Sequence, residues 1–152
     1  MSLSHYYIYI YVGKFSRGIG YFYPTKYIPS AELPDEEYQT ILMTGRILYY
    51  YTTRVMTGRT EELMKIAPSS FIEINIKDAD NLGIKNWDRS KVTSRRGEIE
   101  TTARVGYKVS KGESWMPFHF PDGNANWLTN AALDKYARIP EYKVCAVKVE
   151  KA

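Results

Sequence analysis

Residues 71–76 read Phe-Ile-Glu-Ile-Asn-Ile, a strict alternation of isoleucine with polar residues. Because successive side chains of a β-strand point to opposite faces, this pattern predicts a half-buried strand with Phe71 outside the isoleucine phase. Upstream, the apolar run Ile-Leu-Met at 41–43 is flanked by threonines and ended by Gly45, which predicts a buried strand at 40–44. These two stretches establish the β character of the chain.

Further strand and helix signals follow at short spacing. The other predicted strands lie at 91–94, 98–105, 114–118 and 142–149, with a hairpin turn at 94–97 between the first two. Short helices are predicted at 60–66, at 78–82 with Gly83 as the C-terminal stop, and at 130–136. About six short strands with such brief helices favour a mainly β protein, a β-barrel with helical insertions.

The first thirty residues differ in composition from the rest, since they are rich in tyrosine and contain no acidic residue. We interpret residues 1–30 as an N-terminal arm, one strand followed by an extended connection, and residues 31–152 as the domain. An unpaired strand is a template for another chain, so self-association through this arm is expected.

The whole chain has 152 residues and a net charge of +4, from 21 Lys+Arg and 17 Asp+Glu. Acidic residues interleave the basic ones, so the excess is a weak signal for an anionic partner, a phosphorylated cofactor included. One cysteine excludes an internal disulfide and a cysteine-ligated zinc or iron–sulfur site built from this chain alone. The sequence shows neither a signal peptide nor a membrane helix, so a cytoplasmic location is expected.

The sequence offers no catalytic or metal-ligating set. It contains no phosphate loop, dinucleotide fingerprint or nucleophile elbow. Cys145 lies inside an apolar alternation and is interpreted as an inert core thiol. His119 lies between two phenylalanines and is interpreted as a packed or edge residue rather than a base. The chain therefore resembles a binding domain.

Candidate binding residues follow the strand at 40–44. Thr44, Gly45 and Arg46 would present free backbone N–H groups beyond a strand end, where glycine lets a ligand approach closely. The stretch 47–57 is dense in aromatic and hydroxyl side chains, which suit a flat ring and phosphate oxygens; a strand and turn with a tyrosine-rich face is the alternative. Asn126 offers a donor and an acceptor to a ring edge. Asn130 is interpreted as a helix cap.

Eight motifs in a fixed order carry a resemblance to a known family. They are AELPDEEY at 31–38, ILMTGR at 41–46, MTGRTEEL at 56–63, PSSFIEIN at 68–75 with the following DA and LGI, SRRGEIE at 94–100, MPFHF at 116–120, AN-x-LT at 125–129, and ALDKYARIPEYKVCAV at 132–147. Over about residues 31–149 the chain resembles the C-terminal domain of the molybdopterin oxidoreductases. Within them it is most similar to formate dehydrogenase alpha subunits, with periplasmic-type nitrate reductase as a near relative.

This resemblance implies a double-psi β-barrel that closes over molybdopterin guanine dinucleotide, usually two per molybdenum or tungsten ion. It implies that the strand end and loop at 44–53 run along the cofactor and that Phe118 lies towards the substrate side. Asn126 would meet the pterin edge, and Lys143 would neutralise the anionic cofactor. The implied cofactor-binding residues are Thr44, Gly45, Arg46, Ile47, Leu48, Tyr49, Tyr50, Thr52, Thr53, Phe118, Asn126 and Lys143.

The resemblance also implies where catalysis would take place. The family's active-site cysteine or selenocysteine and its iron–sulfur ligands belong to earlier parts of a longer chain, so this chain alone is expected to be inactive. Formate oxidation to carbon dioxide would occur with the rest of the alpha chain and electron-transfer subunits as partners, and no nucleic acid or membrane partner is expected. The chain departs from the family at 52–57, which read TTRVMT where the family often has HTGTMT.

Three alternatives stay open at the level of sequence. The stand-alone dinucleotide-binding subunit of formylmethanofuran dehydrogenase has the same barrel on its own chain. A nucleic-acid-binding β-barrel would use tyrosine platforms and basic residues, but it gives no reason for the TGR, AN-x-LT and PEYK motifs together. A partner-binding module would dock through the tyrosine-rich arm.

Overall fold

The computed structural model of the chain describes residue 22 and residues 24–152. The strand predicted within the N-terminal arm lies outside these described residues, and residues 24–30 form no regular secondary structure. In the described part of the chain, no helix is both long and apolar enough to span a bilayer.

The described residues form six strands and two short helices. The strands are β1 (Thr40–Gly45), β2 (Phe71–Asn75), β3 (Arg89–Thr93), β4 (Glu98–Gly106), β5 (Glu113–Pro117) and β6 (Val144–Lys151). The helices are α1 (Glu61–Ile66) and α2 (Ile76–Leu82), and single 3-10 turns occur at Thr57–Arg59 and Ala125–Trp127.

The six strands close into one barrel in the order β1-β5-β2-β4-β3-β6. Two pairings are parallel, β1 with β5 and β2 with β4, and the other four are antiparallel. Because the sheet closes on itself, neither edge of a strand is left without a neighbouring strand. The prediction of a mainly β, double-psi barrel of about six strands with short helices is confirmed.

Apolar side chains fill the barrel and a smaller cluster beside it. Ile72 and Ile74 of β2 are buried in the main core, as their alternation predicts. A second cluster joins Tyr50 and Phe120 to Ala67, directly after α1, with Ile47 and Leu63 packed against it. This second cluster matters for function because it supports the loop that follows β1.

The prediction of a helix at 130–136 is wrong. The amide Nδ2 of Asn130 donates to the Val144 carbonyl at 2.9 Å, and its Oδ1 accepts from the Ala132 N–H at 2.9 Å. Asn130 therefore holds the approach to β6 instead of capping a helix. The segment that follows contains only an isolated bridge between Leu133 and Pro140.

Strand β2 ends one residue earlier than its alternation predicts. Asn75 caps α2, because its Oδ1 accepts from the Lys77 N–H at 3.0 Å, and Ile76 consequently becomes the first helical residue. The helix ends at Gly83 in the left-handed conformation, with φ of 65°, which confirms the predicted glycine stop.

Gly45, the last residue of β1, lies against the indole of Trp115. A Cβ at Gly45 would lie 2.6 Å from the indole Nε1. We therefore expect Gly45→Ala to lower the free energy of unfolding by about 1–3 kcal/mol, as other overpacking substitutions do. Gly106→Ala at the end of β4 is the matched control, since no described atom lies within 4 Å of the added Cβ. Denaturant unfolding measures both variants, and equal stabilities would contradict this packing.

Candidate functional site

Strand direction brings three predicted segments to one end of the barrel. Since β1 and β5 are parallel, their carboxyl ends adjoin, with Gly45 opposite Pro117. β6 is antiparallel to β1 and begins at the same end, with Val144 opposite Met43. The loops at 46–59 and 118–128 and the residue before β6, Lys143, therefore form one rim, a name we keep for these residues.

Thr44 fastens the rim to the barrel. Its N–H donates to the Lys143 carbonyl at 3.0 Å, and its hydroxyl donates to the Tyr142 carbonyl at 2.7 Å. The Gly45 carbonyl accepts from the Phe118 N–H at 3.2 Å. The prediction of a free Thr44 N–H is therefore wrong, because Thr44 is still within β1 and its N–H pairs with the segment before β6. These bonds place Lys143 and Phe118 beside the end of β1.

Two of the cations predicted to bind the cofactor, Arg46 and Lys143, lie beside the Phe118 ring. The guanidinium carbon of Arg46 lies 5.8 Å from the ring centroid of Phe118, and Lys143 Nζ lies 5.1 Å from the same centroid. Both distances are within the range of cation–π attraction. The Tyr142 ring meets Phe118 edge to face, with 6.4 Å between centroids. The structure therefore brings Arg46, Phe118 and Lys143 together, all three of which were predicted to bind the cofactor.

His119 hydrogen-bonds to the loop that follows β1 at two points. Its Nε2 accepts from the Ile47 N–H at 3.0 Å, and its Nδ1 donates to the Thr52 carbonyl. Burial lowers the pKa of His119, and the nearby charges of Arg46 and Arg54 lower it further, against the opposing effect of the Thr52 bond. The side chain is only 2% exposed, which confirms a packed histidine. It is a neutral clamp that shapes the rim.

The residues of the predicted tyrosine stretch, 48–50, point to different sides of the loop after β1. The Tyr50 ring packs edge to face on Phe120, and its hydroxyl lies 2.6 Å from the Ala67 carbonyl oxygen. Tyr50 therefore supports the loop from beneath. Leu48 and Tyr49 are exposed and line a separate groove that also contains Trp115.

A cleft of about 450 Å³ opens within the rim. Of the predicted residues, Thr53, Phe118 and Asn126 line it, and no acidic side chain is among its described lining residues. Arg54 and Arg59 line the same cleft and were missed by sequence reasoning. A signal for them exists, because residues 39–60 contain three arginines and no carboxylate.

The charge of the rim is unbalanced. In the described part of the chain, eight ion pairs form, and none includes Arg46, Arg54, Arg59 or Lys143. The Arg54 Nη1 is also buried with no hydrogen-bond partner among the described atoms. Two cations lie beside the Phe118 ring, and two more, Arg54 and Arg59, line the cleft. This charge, with an unused guanidinium donor on Arg54, fits an anionic ligand that carries phosphate groups.

Arg96 positions the segment that carries Asn126. Its Nε and Nη2 donate to the Leu128 carbonyl at 3.0 and 2.7 Å, and Nη2 also donates to Glu32 Oε1 at 2.8 Å. The same Oε1 accepts from the Ala146 N–H at 2.8 Å. The Arg96 hydrogen bond holds the pKa of Glu32 below its ordinary value. The predicted hairpin turn at 94–97 therefore also anchors the Asn126 side of the cleft.

The family model described as "Molydopterin dinucleotide binding domain" matches residues 40–146. This chain belongs to that family. The match begins with β1 and ends within β6, so this molybdopterin dinucleotide-binding domain includes the whole rim.

Curated relatives of this domain are much longer proteins. The chain is 51% identical over 134 residues to the F420-dependent formate dehydrogenase subunit alpha of Methanocaldococcus jannaschii, covering 88% of this chain and 20% of that protein. It is 46% identical over 140 residues to the F420-dependent formate dehydrogenase 2 subunit alpha of Methanococcus maripaludis, covering 91% and 21%. A nitrate reductase of Symbiobacterium thermophilum is 48% identical over 126 residues, covering 80% and 17%. The chain thus spans about a fifth of the length of these relatives.

A solved structure supports the fold of the molybdopterin dinucleotide-binding domain. Acetylene hydratase from Pelobacter acetylenicus superposes with a TM-score of 0.64 at 16% identity, covering 76% of this chain and 18% of that chain. At this identity the likeness concerns the fold.

The cysteine of the domain is inert. Cys145 is fully buried, and burial raises the pKa of its thiol to about 11. The predicted core position of Cys145 is confirmed, and the raised pKa is consistent with a thiol of low reactivity. Among the described residues, no three His, Cys, Asp or Glu side chains lie together as a metal site.

The neutral His119 clamp predicts a pH dependence of stability. Because the folded pKa lies below the ordinary 6.5, the unfolded chain binds the proton more readily. The stabilisation is complete above pH 6.5 and decreases as the pH falls through the folded pKa. We expect His119→Gln to lower the melting temperature at pH 7.5 and to flatten its decline between pH 7 and 5.5.

His5→Gln is the control, since His5 is the other histidine of the sequence. It should keep the wild-type decline, which scanning calorimetry at several pH values measures. An unchanged decline in His119→Gln would show that the clamp is not the titrating group.

Proposed function

We propose that this domain binds molybdopterin guanine dinucleotide as the C-terminal part of a formate dehydrogenase alpha subunit. The observation that carries the proposal is the set of four cations without acidic partners, gathered around Phe118 and a cleft without carboxylates. A dinucleotide cofactor offers the matching chemistry, because it combines flat rings with a negatively charged diphosphate.

The proposed site residues have two roles. We propose that Arg46, Thr53, Phe118, Asn126 and Lys143 contact the cofactor, because they line the cleft or surround Phe118. Supporting residues act through the backbone that they hold in place. They are Thr44, Gly45, Ile47, Tyr50 and Thr52. Leu48 and Tyr49 face a separate groove, so in this proposal they contribute backbone atoms only.

Formate dehydrogenase is favoured by the relatives and by the motifs. The two formate dehydrogenase alpha subunits match 88% and 91% of the chain, and the AN-x-LT and PEYKVCAV motifs point the same way. When bound, the cofactor supplies a molybdenum or tungsten centre that accepts the electrons of formate. The names of these relatives make F420 the electron acceptor to test first.

Three alternative functions are supported less well than formate dehydrogenase: nucleic-acid binding, formylmethanofuran dehydrogenase and nitrate reduction. The family match supports a dinucleotide ligand over a nucleic acid. The formate dehydrogenase relatives favour that enzyme over formylmethanofuran dehydrogenase. Nitrate reduction is the second candidate activity, because a nitrate reductase is 48% identical over 126 residues.

We propose residues 31–152 as the binding domain and residues 1–30 as an arm. In the described part of the chain, the first residues of this domain hydrogen-bond to its later segments. The Ala31 N–H donates to Glu141 Oε2 at 3.0 Å, and Glu32 contacts both Arg96 and Ala146. The proposed partners are the preceding part of the alpha chain and its electron-transfer subunits, and the arm remains a proposed site of self-association.

Activity and cofactor content test the proposed function. This chain alone should show no formate:dye oxidoreductase activity even with cofactor and metal supplied, because a metal centre and an electron exit lie elsewhere. In the full-length alpha subunit that contains this sequence, Asn126→Ala and Lys143→Ala should each lower pterin and metal content per protein. Each removes a polar or charged contact worth roughly 1–3 kcal/mol.

Matched controls separate the site from general effects of substitution. Asn81→Ala removes an exposed amide on α2, and Lys135→Ala removes a lysine whose Nζ lies 5.6 Å from the Tyr136 ring centroid, much as Lys143 lies 5.3 Å from that of Tyr142. Both controls should keep wild-type content. Wild-type content in the Asn126 and Lys143 variants would overturn the site, and turnover by the chain alone would overturn its role as a partial domain.

A further inference from the structure

Arg54 occupies an unusual backbone position within the rim. Its φ is 65°, in the left-handed region that favours glycine, and Thr52 two residues earlier has φ of 44°. The Arg54 carbonyl accepts from the Gly58 N–H at 2.8 Å. Gly58 leaves room for the arginine, since a Cβ there would lie 2.8 Å from Arg54 Cγ and Nε. The loop is thus built around the Arg54 side chain.

The Arg54 guanidinium is held between two aromatic rings. Its Cζ lies 5.1 Å from the Tyr50 ring centroid and 5.0 Å from that of Phe120, and Nη2 donates to the Met64 sulfur at 3.1 Å. A guanidinium stays charged at all physiological pH values, so rings and a thioether satisfy it only in part. These contacts fix its orientation without neutralising its charge.

The remaining donor of Arg54 lacks a partner in the described structure. Nη1 is buried, no described carboxylate pairs with the group, and the other charged residue among the described lining of the cleft is Arg59. A buried donor nitrogen without a hydrogen-bond partner is unfavourable, so an acceptor that reached Nη1 would relieve this cost. Phosphate suits a guanidinium because its oxygens match the fork of N–H donors.

We propose that Arg54 is a phosphate-binding residue of the cleft and that its guanidinium takes a phosphate of the dinucleotide's diphosphate. This proposal rests on the proposed function and assigns the diphosphate to the Arg54 side of the cleft. Arg59 adds charge at the same place. The other two cations, Arg46 and Lys143, then remain for the groups that bind beside Phe118.

Calorimetric titration of the 152-residue chain with inorganic pyrophosphate and with guanosine diphosphate tests this assignment. The first variant is Arg54→Gly, which removes the side chain and suits the left-handed backbone. Its matched control is Arg138→Gly, an exposed arginine with φ of 57° outside the cleft. We expect both ligands to bind roughly tenfold more weakly to Arg54→Gly, since a charge-assisted pair is lost, and to bind Arg138→Gly as they bind the wild type.

Each other outcome overturns a stated part of the account. Wild-type affinity in Arg54→Gly, or an equal loss in Arg138→Gly, would overturn the role of Arg54 and leave the proposed function standing. A wild-type chain that binds neither probe would overturn both. If Arg54→Gly melts below the assay temperature, Arg54→Gln with Arg138→Gln as control is judged by the same criteria.

Discussion

The parallel pairing of β1 with β5 is the constraint on which the site depends. It places the carboxyl ends of two strands side by side, although the residues that follow them are about seventy positions apart in the chain. The antiparallel β6 begins at the same end of the barrel. The loop after β1, the Phe118–Phe120 segment and Lys143 thus meet through backbone geometry. The side chains of the rim determine which ligand it can bind.

Support and binding are carried by different groups at this end of the barrel. The polar atoms of His119, Tyr50 and Thr44 hydrogen-bond to backbone carbonyl and N–H groups. These bonds fix the loop after β1 without adding charge. The cations are left without carboxylate partners in the described structure, so they repel one another and destabilise the free domain slightly. An anionic ligand would relieve that repulsion. The arrangement is the reverse of the exposed surface of β3 and β4, where Arg89 and Lys91 pair with Glu100 and Glu98.

The sequence predicted elements better than it predicted the cleft. Periodicity located the strands, and Gly83 marked the end of α2, because these signals depend on neighbouring residues. The helix expected at 130–136 failed because the segment folds back on itself, with the Asp134 N–H donating to the Ile139 carbonyl and the Glu141 N–H to the Ala132 carbonyl. Arg54 and Arg59 escaped notice because their places depend on a left-handed loop that only the closed barrel supports. The motif order identified the ligand class, whereas the separation of Leu48 and Tyr49 from the cleft required the structure.

We propose that the guanine dinucleotide binds at this rim of the barrel. Backbone amide NMR during titration of the chain with guanosine diphosphate tests this placement, since each non-proline residue has an amide signal of its own. We expect shift changes at residues 46–59, 118–128 and 143. The opposite end of the barrel, where the Gly112 N–H donates to Asp78 Oδ2 at 2.6 Å, should stay unchanged. Changes concentrated at that opposite end, or none at saturating nucleotide, would overturn the proposed site.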